Sequence, residues 1–154
     1  NLWITTAKDD LLEVMKRVDL IIINDGEVKM LAQDDNFIRA SKKVVKMTNC
    51  QTLIVKRGEF GVIAFHGDEI ISLPAYPTEK VVDPTGCGDS FAGTLASYLA
   101  NGEDELTRDE LRKALIAATV TSSFTLESFG TKRLINLQSK EFSERLEQYN
   151  SILN

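Results

Sequence analysis

The segment Asp83-Pro84-Thr85-Gly86-Cys87-Gly88-Asp89 holds the residue types that an anion-handling loop requires. Two glycines bracket one small residue where an apolar helical pattern begins. Backbone N–H groups of Gly86, Cys87, Gly88 and Asp89 can converge there on an anion, helped by the positive N-terminal end of the helix, and large side chains would block the approach. A carboxylate in the first turn, Asp89, is placed to serve as general base, taking the proton of an attacking hydroxyl while the amides hold a transferring phosphoryl group. The competing reading needs no chemistry: Asp89 caps the helix and the glycines make a tight turn. Short glycine motifs arise often by chance, so spacing alone leaves both readings open.

A scaffold must position this loop, and the flanking pattern alternates helices with strands. Thr6 with Asp9 predicts an N-cap and a helix over 7–18 carrying Leu11, Met15 and Val18. Asp19 to Ile23 predicts a short strand whose continuous apolarity suits a sheet covered on both faces; it ends at Asn24-Asp25-Gly26, where a turn or helix begins. Asn36 predicts the cap of a helix with Phe37, Ala40, Val44 and Met47 on its apolar face. Thr52 to Lys56 follows as a buried strand, and 61–65 with 69–73 form a hairpin turning at His66-Gly67-Asp68. Beyond the glycine loop, Phe91, Leu95 and Leu99 mark a helix ending at Asn101-Gly102. Thr107 with Glu110 caps another, rich in Ala, Ser and Thr, and Ser139 caps a last one through Phe142, Leu146 and Tyr149. The expectation is an α/β three-layer domain, its sheet mostly parallel with an antiparallel edge hairpin. In such sheets ligands lie beyond the carboxyl ends of the strands, which selects Asn24 to Glu27, Lys56 to Gly61 and Asp83 to Asp89.

Composition narrows the partner. The 154 residues suit one ordinary domain, with 43% hydrophobic and 27% charged residues. Eighteen basic against 23 acidic residues give a net charge of −5 with no basic stripe, which disfavours nucleic acid and acidic membrane surfaces and favours a small molecule. Cys50 and Cys87 form no Cys-x-x-Cys pair, so neither a zinc site nor a disulfide framework is expected, and a reducing, cytoplasmic setting fits. Leu20 to Ile23 is too short to span a bilayer, and the opening residues lack a secretory pattern. His66 is expected as a solvated turn residue, Trp3 as core or as the broken edge of a larger domain, and the acidic cluster from Glu103 to Glu110 as a solvated loop and helix start. Cys87 is read as a space-filler, although a helix N-terminus can also activate a thiol.

The run Val82-Asp83-Pro84-Thr85-Gly86-Cys87-Gly88-Asp89-Ser90-Phe91-Ala92-Gly93 resembles the second signature of the ribokinase, or PfkB, family of carbohydrate kinases, D-T-x-G-A-G-D, with Pro84 where Thr is usual and Cys87 where Ala is usual. Asn24-Asp25-Gly26-Glu27 is similar to the family's N-x-x-E motif, and Val55 to Gly61 to its nucleotide-side strand and turn. The resemblance implies a ribokinase-like fold and ATP-dependent phosphorylation of a hydroxyl on a sugar or sugar-like alcohol. It makes Asp89 the catalytic base and Gly86, Cys87 and Gly88 the anion hole, and sets Lys56, Gly58, Gly61 and Gly88 along ATP. Asn24 and Glu27 would hold Mg2+ through waters, and Asp83 and Thr85 a monovalent cation such as K+. Without the resemblance, Asn24 is a strand-end turn residue, Glu27 a favourable acid in a first helical turn, Lys56 an exposed base at a hairpin entrance, and Asp83 and Thr85 loop bracing.

The resemblance spans the carboxyl-terminal half of such a fold. The expectation is therefore that residues 1–154 are the nucleotide-binding, catalytic part of a ribokinase-like domain whose amino-terminal half is absent, the sequence opening at Asn1 without Met. That half, or an equivalent chain, becomes an expected partner, with homo-oligomerisation as another way to cover apolar surface. Two rival functions stand beside the carbohydrate kinase: a nucleoside kinase of the same fold, and a fragment that binds nucleotide or a partner without catalysis.

Overall fold

The structure is a computed structural model that describes residues 2–101 and 106–154. Gly102 and the acidic residues 103–105 lie outside the described residues, and so does that part of the predicted helix stop and acidic cluster. The chain divides into two compact units, residues 1–72 and 73–154.

The first unit begins with two short helices, α1 (Leu2–Thr6) and α2 (Lys8–Met15), where one helix over 7–18 was expected. Thr6 is not a cap. It ends α1, and its hydroxyl donates to the Leu2 carbonyl at 2.8 Å, the back-bonding that draws threonine away from capping. Val18 falls beyond α2 and is exposed, and Trp3 is 65% exposed, so it is not core. Strand β1 (Leu20–Asn24) leads directly into α3 (Asp25–Ala32), and α4 (Phe37–Thr48) is capped as expected, the Arg39 N–H donating to Asn36 Oδ1 at 3.0 Å. Strand β2 (Thr52–Lys56) runs parallel to β1, with Asn24 opposite Lys56 at the shared carboxyl end. A 3-10 turn (Gly58–Phe60) follows, then β3 (Val62–His66), antiparallel to β2, and β4 (Glu69–Leu73). The sheet order is β1-β2-β3-β4, and Gly67 turns the closing hairpin with φ +54°.

Val28, Leu31, Val44, Leu53 and Val55 are each at most 1% exposed and join Met15, Ile21 and Phe65 in the core that α2, α3 and α4 build on the sheet. Each such side chain contributes about 1.5–3 kcal/mol by leaving water. β1 is an edge strand, so Ile22 and Ile23 are only half-buried despite their apolar run. His66 ends β3 rather than sitting in the turn; its Nδ1 hydrogen-bonds the Thr52 hydroxyl at 2.8 Å across the β2–β3 pair. This cross-strand partner, 14 residues away, is why the residue is half-buried instead of solvated.

In the second unit, an extended connection leads to α5 (Cys87–Ala100), followed by α6 (Arg108–Thr125), α7 (Lys132–Ile135) and α8 (Ser139–Leu153). The Thr107–Glu110 capping box forms as predicted. The N-cap of α8 is Gln138, whose N–H donates to Glu141 Oε2 at 3.1 Å, so Ser139 is the first helical residue and not the cap. Small residues let α5 lie close along α6, and α7 and α8 also pack on α6. Most of α6 is buried, and Tyr149 of α8 is fully buried with its hydroxyl donating to the Pro74 carbonyl. Among the described residues, no helix is long and apolar enough to cross a membrane.

Candidate active site

The loop ahead of α5 is built by local chemistry. Asp83 Oδ1 accepts the Thr85 N–H at 2.9 Å, and Cys87 N–H donates to the Pro84 carbonyl at 3.2 Å, closing a turn whose third residue is Gly86. Gly86 has φ +85° and ψ −6°, the geometry that a type II turn demands at this position and that glycine adopts without strain. The hydrogen bonds from Thr85 hold the Asp83 carboxyl below its ordinary range.

The turn delivers α5 with its first amides pointing forward. The Cys87 amide is used by Pro84, so of the four amides anticipated for the anion hole this one is already partnered. No hydrogen bond of the Gly88 or Asp89 amides is present among the described residues, as befits the first turn of a helix. The Asp89 side chain is exposed in that same turn, with no ion pair or hydrogen bond among the described residues. An exposed carboxylate beside two unpartnered amides can accept a proton next to a bound anion. Cys87 is half-buried; burial, with the Asp83 charge as a second cause, pushes its thiol up, opposite to the activation that a helix terminus alone would give.

In the first unit, the candidates gather at the carboxyl ends of β1 and β2. Asn24 and Glu27 bond each other reciprocally: the Glu27 N–H donates to Asn24 Oδ1 at 2.8 Å, and the Asn24 N–H donates to Glu27 Oε2 at 2.9 Å. This capping box opens α3, so the bland roles of both residues are realised in the structure. It also holds two hard oxygen donors side by side, the donor chemistry that a hydrated Mg2+ takes from one or two side chains. Among the described residues, no group of three His, Cys, Asp or Glu side chains could hold a metal. Lys56 is half-buried opposite Asn24, while Gly58 (φ +57°) and Gly61 (φ +86°) bracket the 3-10 turn and let it double back, the Arg57 N–H donating to the Gly61 carbonyl at 2.8 Å. The structure thus brings Asn24, Glu27 and Lys56 to one sheet end within the first unit, and Asp83, Thr85, Gly86, Cys87, Gly88 and Asp89 to one loop within the second.

Three features escaped the sequence. Arg57 lies over the rings of Phe37 and Phe60, 4.8 and 5.7 Å from their centroids, and its Nε is buried without a hydrogen-bond partner among the described residues. Glu127, just past α6, is clamped by Arg145 at 2.5 Å and Arg133 at 2.8 Å; burial pushes its carboxyl up, but the hydrogen bonds from the two arginines outweigh that and hold it below the ordinary range. The Leu126 carbonyl accepts from Val82 N–H at 2.7 Å and Asp83 N–H at 3.3 Å, fastening the loop to the end of α6. No spacing rule announces partners as distant as Phe37 from Arg57, Arg145 from Glu127 or Val82 from Leu126. An apolar groove of about 330 Å³ runs along β1, lined by Trp3, Leu11, Val14, Val18 and Ile22, with Glu27 the one candidate residue on it.

The family description "pfkB family carbohydrate kinase" matches residues 1–137. A cytidine kinase of Thermococcus kodakarensis is 31% identical over 111 residues, covering 70% of this chain and 39% of that protein. A nucleoside kinase of Methanocaldococcus jannaschii is 30% identical over 144 residues, covering 93% of this chain and 44% of that one. Among solved structures, an E. coli protein in complex with ATP and Mg2+ is 26% identical with a TM-score of 0.74, over 92% of this chain and 43% of that one. The chain spans less than half the length of each of these proteins. The fold is ribokinase-like, as expected, and its described sheet is mixed rather than mostly parallel, with β1–β2 parallel and β2–β3 antiparallel.

Proposed function

The chain belongs to the pfkB family of carbohydrate kinases, and from that membership we propose that it is the phosphoryl-transfer part of an ATP-dependent kinase acting on a hydroxyl of a sugar or nucleoside. The observation that carries this reading is the glycine turn into α5, which presents the amides of Gly88 and Asp89, unpartnered among the described residues, beside the exposed Asp89 carboxylate. Asp89 accepts the proton of the attacking hydroxyl, and the amides of Gly86, Gly88 and Asp89, with that of Cys87 shared with the Pro84 carbonyl, hold the charge that develops on the transferring phosphoryl group. In the first unit, Asn24 and Glu27 hold Mg2+ through water, which supplies charge neutralisation for the phosphates when bound. Lys56, Gly58 and Gly61 take the nucleotide side, and Gly88 the phosphate. A monovalent cation at Asp83 and Thr85 is the finest part of the proposal; the Asp83 oxygen engaged by Thr85 would have to be shared with it. A cytoplasmic setting, and completion by an amino-terminal half or an equivalent chain, belong to the same reading.

Within this reading a nucleoside acceptor has specific support, because two of the relatives above are described as cytidine and nucleoside kinases. The test is calorimetric titration of the chain with Mg–ATP, repeated on Gly88→Val, followed by transfer of labelled γ-phosphate to a panel of sugars and nucleosides. Binding that the substitution removes, with transfer to one acceptor class, is the expected result. Mg–ATP affinity unchanged by valine at position 88 would remove the loop from phosphate binding. Binding without transfer to any acceptor, by this chain and by the complete protein alike, would leave the non-catalytic reading.

A further inference from the structure

The hydroxyls along α6 follow one habit with one exception. Thr119 donates to the Leu115 carbonyl at 2.8 Å and Thr121 to the Ala117 carbonyl at 3.0 Å, each satisfying its proton one turn back in its own helix. Thr125, the last residue of α6 and 3% exposed, lies 3.5 Å from the equivalent Thr121 carbonyl and instead donates to Ser90 Oγ at 2.8 Å, 35 residues away. Ser90 passes its own proton to the Cys87 carbonyl at 3.1 Å, inside the first turn of α5. The Thr125 methyl meets the other side of the loop: it stands 3.8 Å from where a side chain on Gly86 would begin. Hydroxyl and methyl thus grip the motif one residue beyond Asp89 and at the turn glycine, while the next carbonyl, Leu126, holds Val82 and Asp83.

A helix free to rotate by a few degrees would swing its first-turn groups, and misplacement of reacting groups by about 1 Å costs on the order of 100-fold in rate. We propose that Thr125 is a positioning residue, its hydroxyl setting, through Ser90, the rotation of the first turn of α5 and so the aim of the Asp89 carboxylate and of the Gly88 and Asp89 amides. This rests on the kinase reading for its purpose, but its geometry can be tested without it.

Thr125→Val keeps the shape and removes the donor; Thr125→Ser keeps the donor and removes the methyl. Backbone amide NMR spectra of the 154-residue chain and its two variants read the first turn directly. Valine is expected to shift the Gly88, Asp89 and Ser90 resonances while serine leaves them near wild type. In phosphoryl transfer by the complete kinase, valine is expected to lower kcat about tenfold with the Mg–ATP dissociation constant within about twofold, and serine to restore kcat. Undisturbed first-turn resonances in the valine variant overturn the proposal, as does equal loss of kcat in both variants. A complete wild-type kinase that transfers no phosphate overturns the kinase reading alone, since the resonance comparison still decides the positioning role.

Discussion

The two candidate regions are held by opposite means. At the carboxyl end of β1, Asn24 and Glu27 bond each other within three residues, and the neighbouring strand brings Lys56 opposite them by simple parallel register. The loop at 83–89 is shaped locally by Asp83, Pro84 and Gly86, but its attachment comes from Thr125 and Leu126, and behind them from the Glu127 cluster. A site made of short-range bonds tolerates change elsewhere in the chain. One fastened through a distant helix end inherits that helix's stability, and on the proposal above the placement of Asp89 is coupled to Thr125 through Ser90.

The sharpest test of this contrast is Asp89→Asn. Turnover in the complete kinase is expected to fall by about 100- to 10,000-fold while Mg–ATP affinity stays near wild type; near-normal turnover would remove Asp89 from the role of base. Glu127→Gln comes next, because it leaves Arg133 and Arg145, 22% and 17% exposed, facing a neutral group. A loss of about 2–3 kcal/mol is expected in denaturant unfolding, below the cost of a fully buried pair. The Glu127 carboxyl is lowered in the folded chain, so its contribution is present above the ordinary value of 4.5 and disappears as pH falls below it. The unfolding midpoint of the wild type should therefore drop more steeply than that of the variant on acidification below about pH 4.5. Equal slopes would show that the cluster does not anchor the end of α6.

Smaller effects separate backbone from side chain. Gly86→Ala forces a side chain into φ +85° and should cost about 1–2 kcal/mol, although its nearest neighbour is a comfortable 3.8 Å away. Gly93→Ala, at an open position inside α5, should stabilise by about 0.5–1 kcal/mol, so the pair isolates the turn from helix propensity. A change of similar size is expected at the locally built end. Asn24→Ala should cost about 1 kcal/mol through the lost cap, and Asn24→Ser should recover most of it. If the serine variant is as stable as wild type but needs more Mg2+ for transfer, Asn24 serves the cation as well as the helix; an unchanged Mg2+ requirement leaves it a cap.

Much of the fold was legible because it is encoded within a few residues. Asn36 and Thr107 stand at their helix starts with partners three positions on, and Gly67 occupies a two-residue hairpin turn. Misreadings arose where two local options were nearly equal: Thr6 bonded backwards instead of capping forwards, and Gln138 took the cap expected of Ser139. His66 was read as solvent-facing since nothing near it in sequence reveals Thr52 across the strand pair.

For the candidate site, the sequence by itself determined the glycine turn, the acid that follows it and the Asn24–Glu27 spacing, because hydrogen bonds between positions three or four apart follow from helix and turn geometry alone. Tertiary structure decided which of those groups are already engaged and which remain open. Pro84 takes the Cys87 amide, burial raises the Cys87 thiol, and Thr125 reaches across 35 residues to Ser90. Such contacts depend on how helices and loops pack, and that packing is chosen by the burial of the whole chain rather than by any short stretch of it.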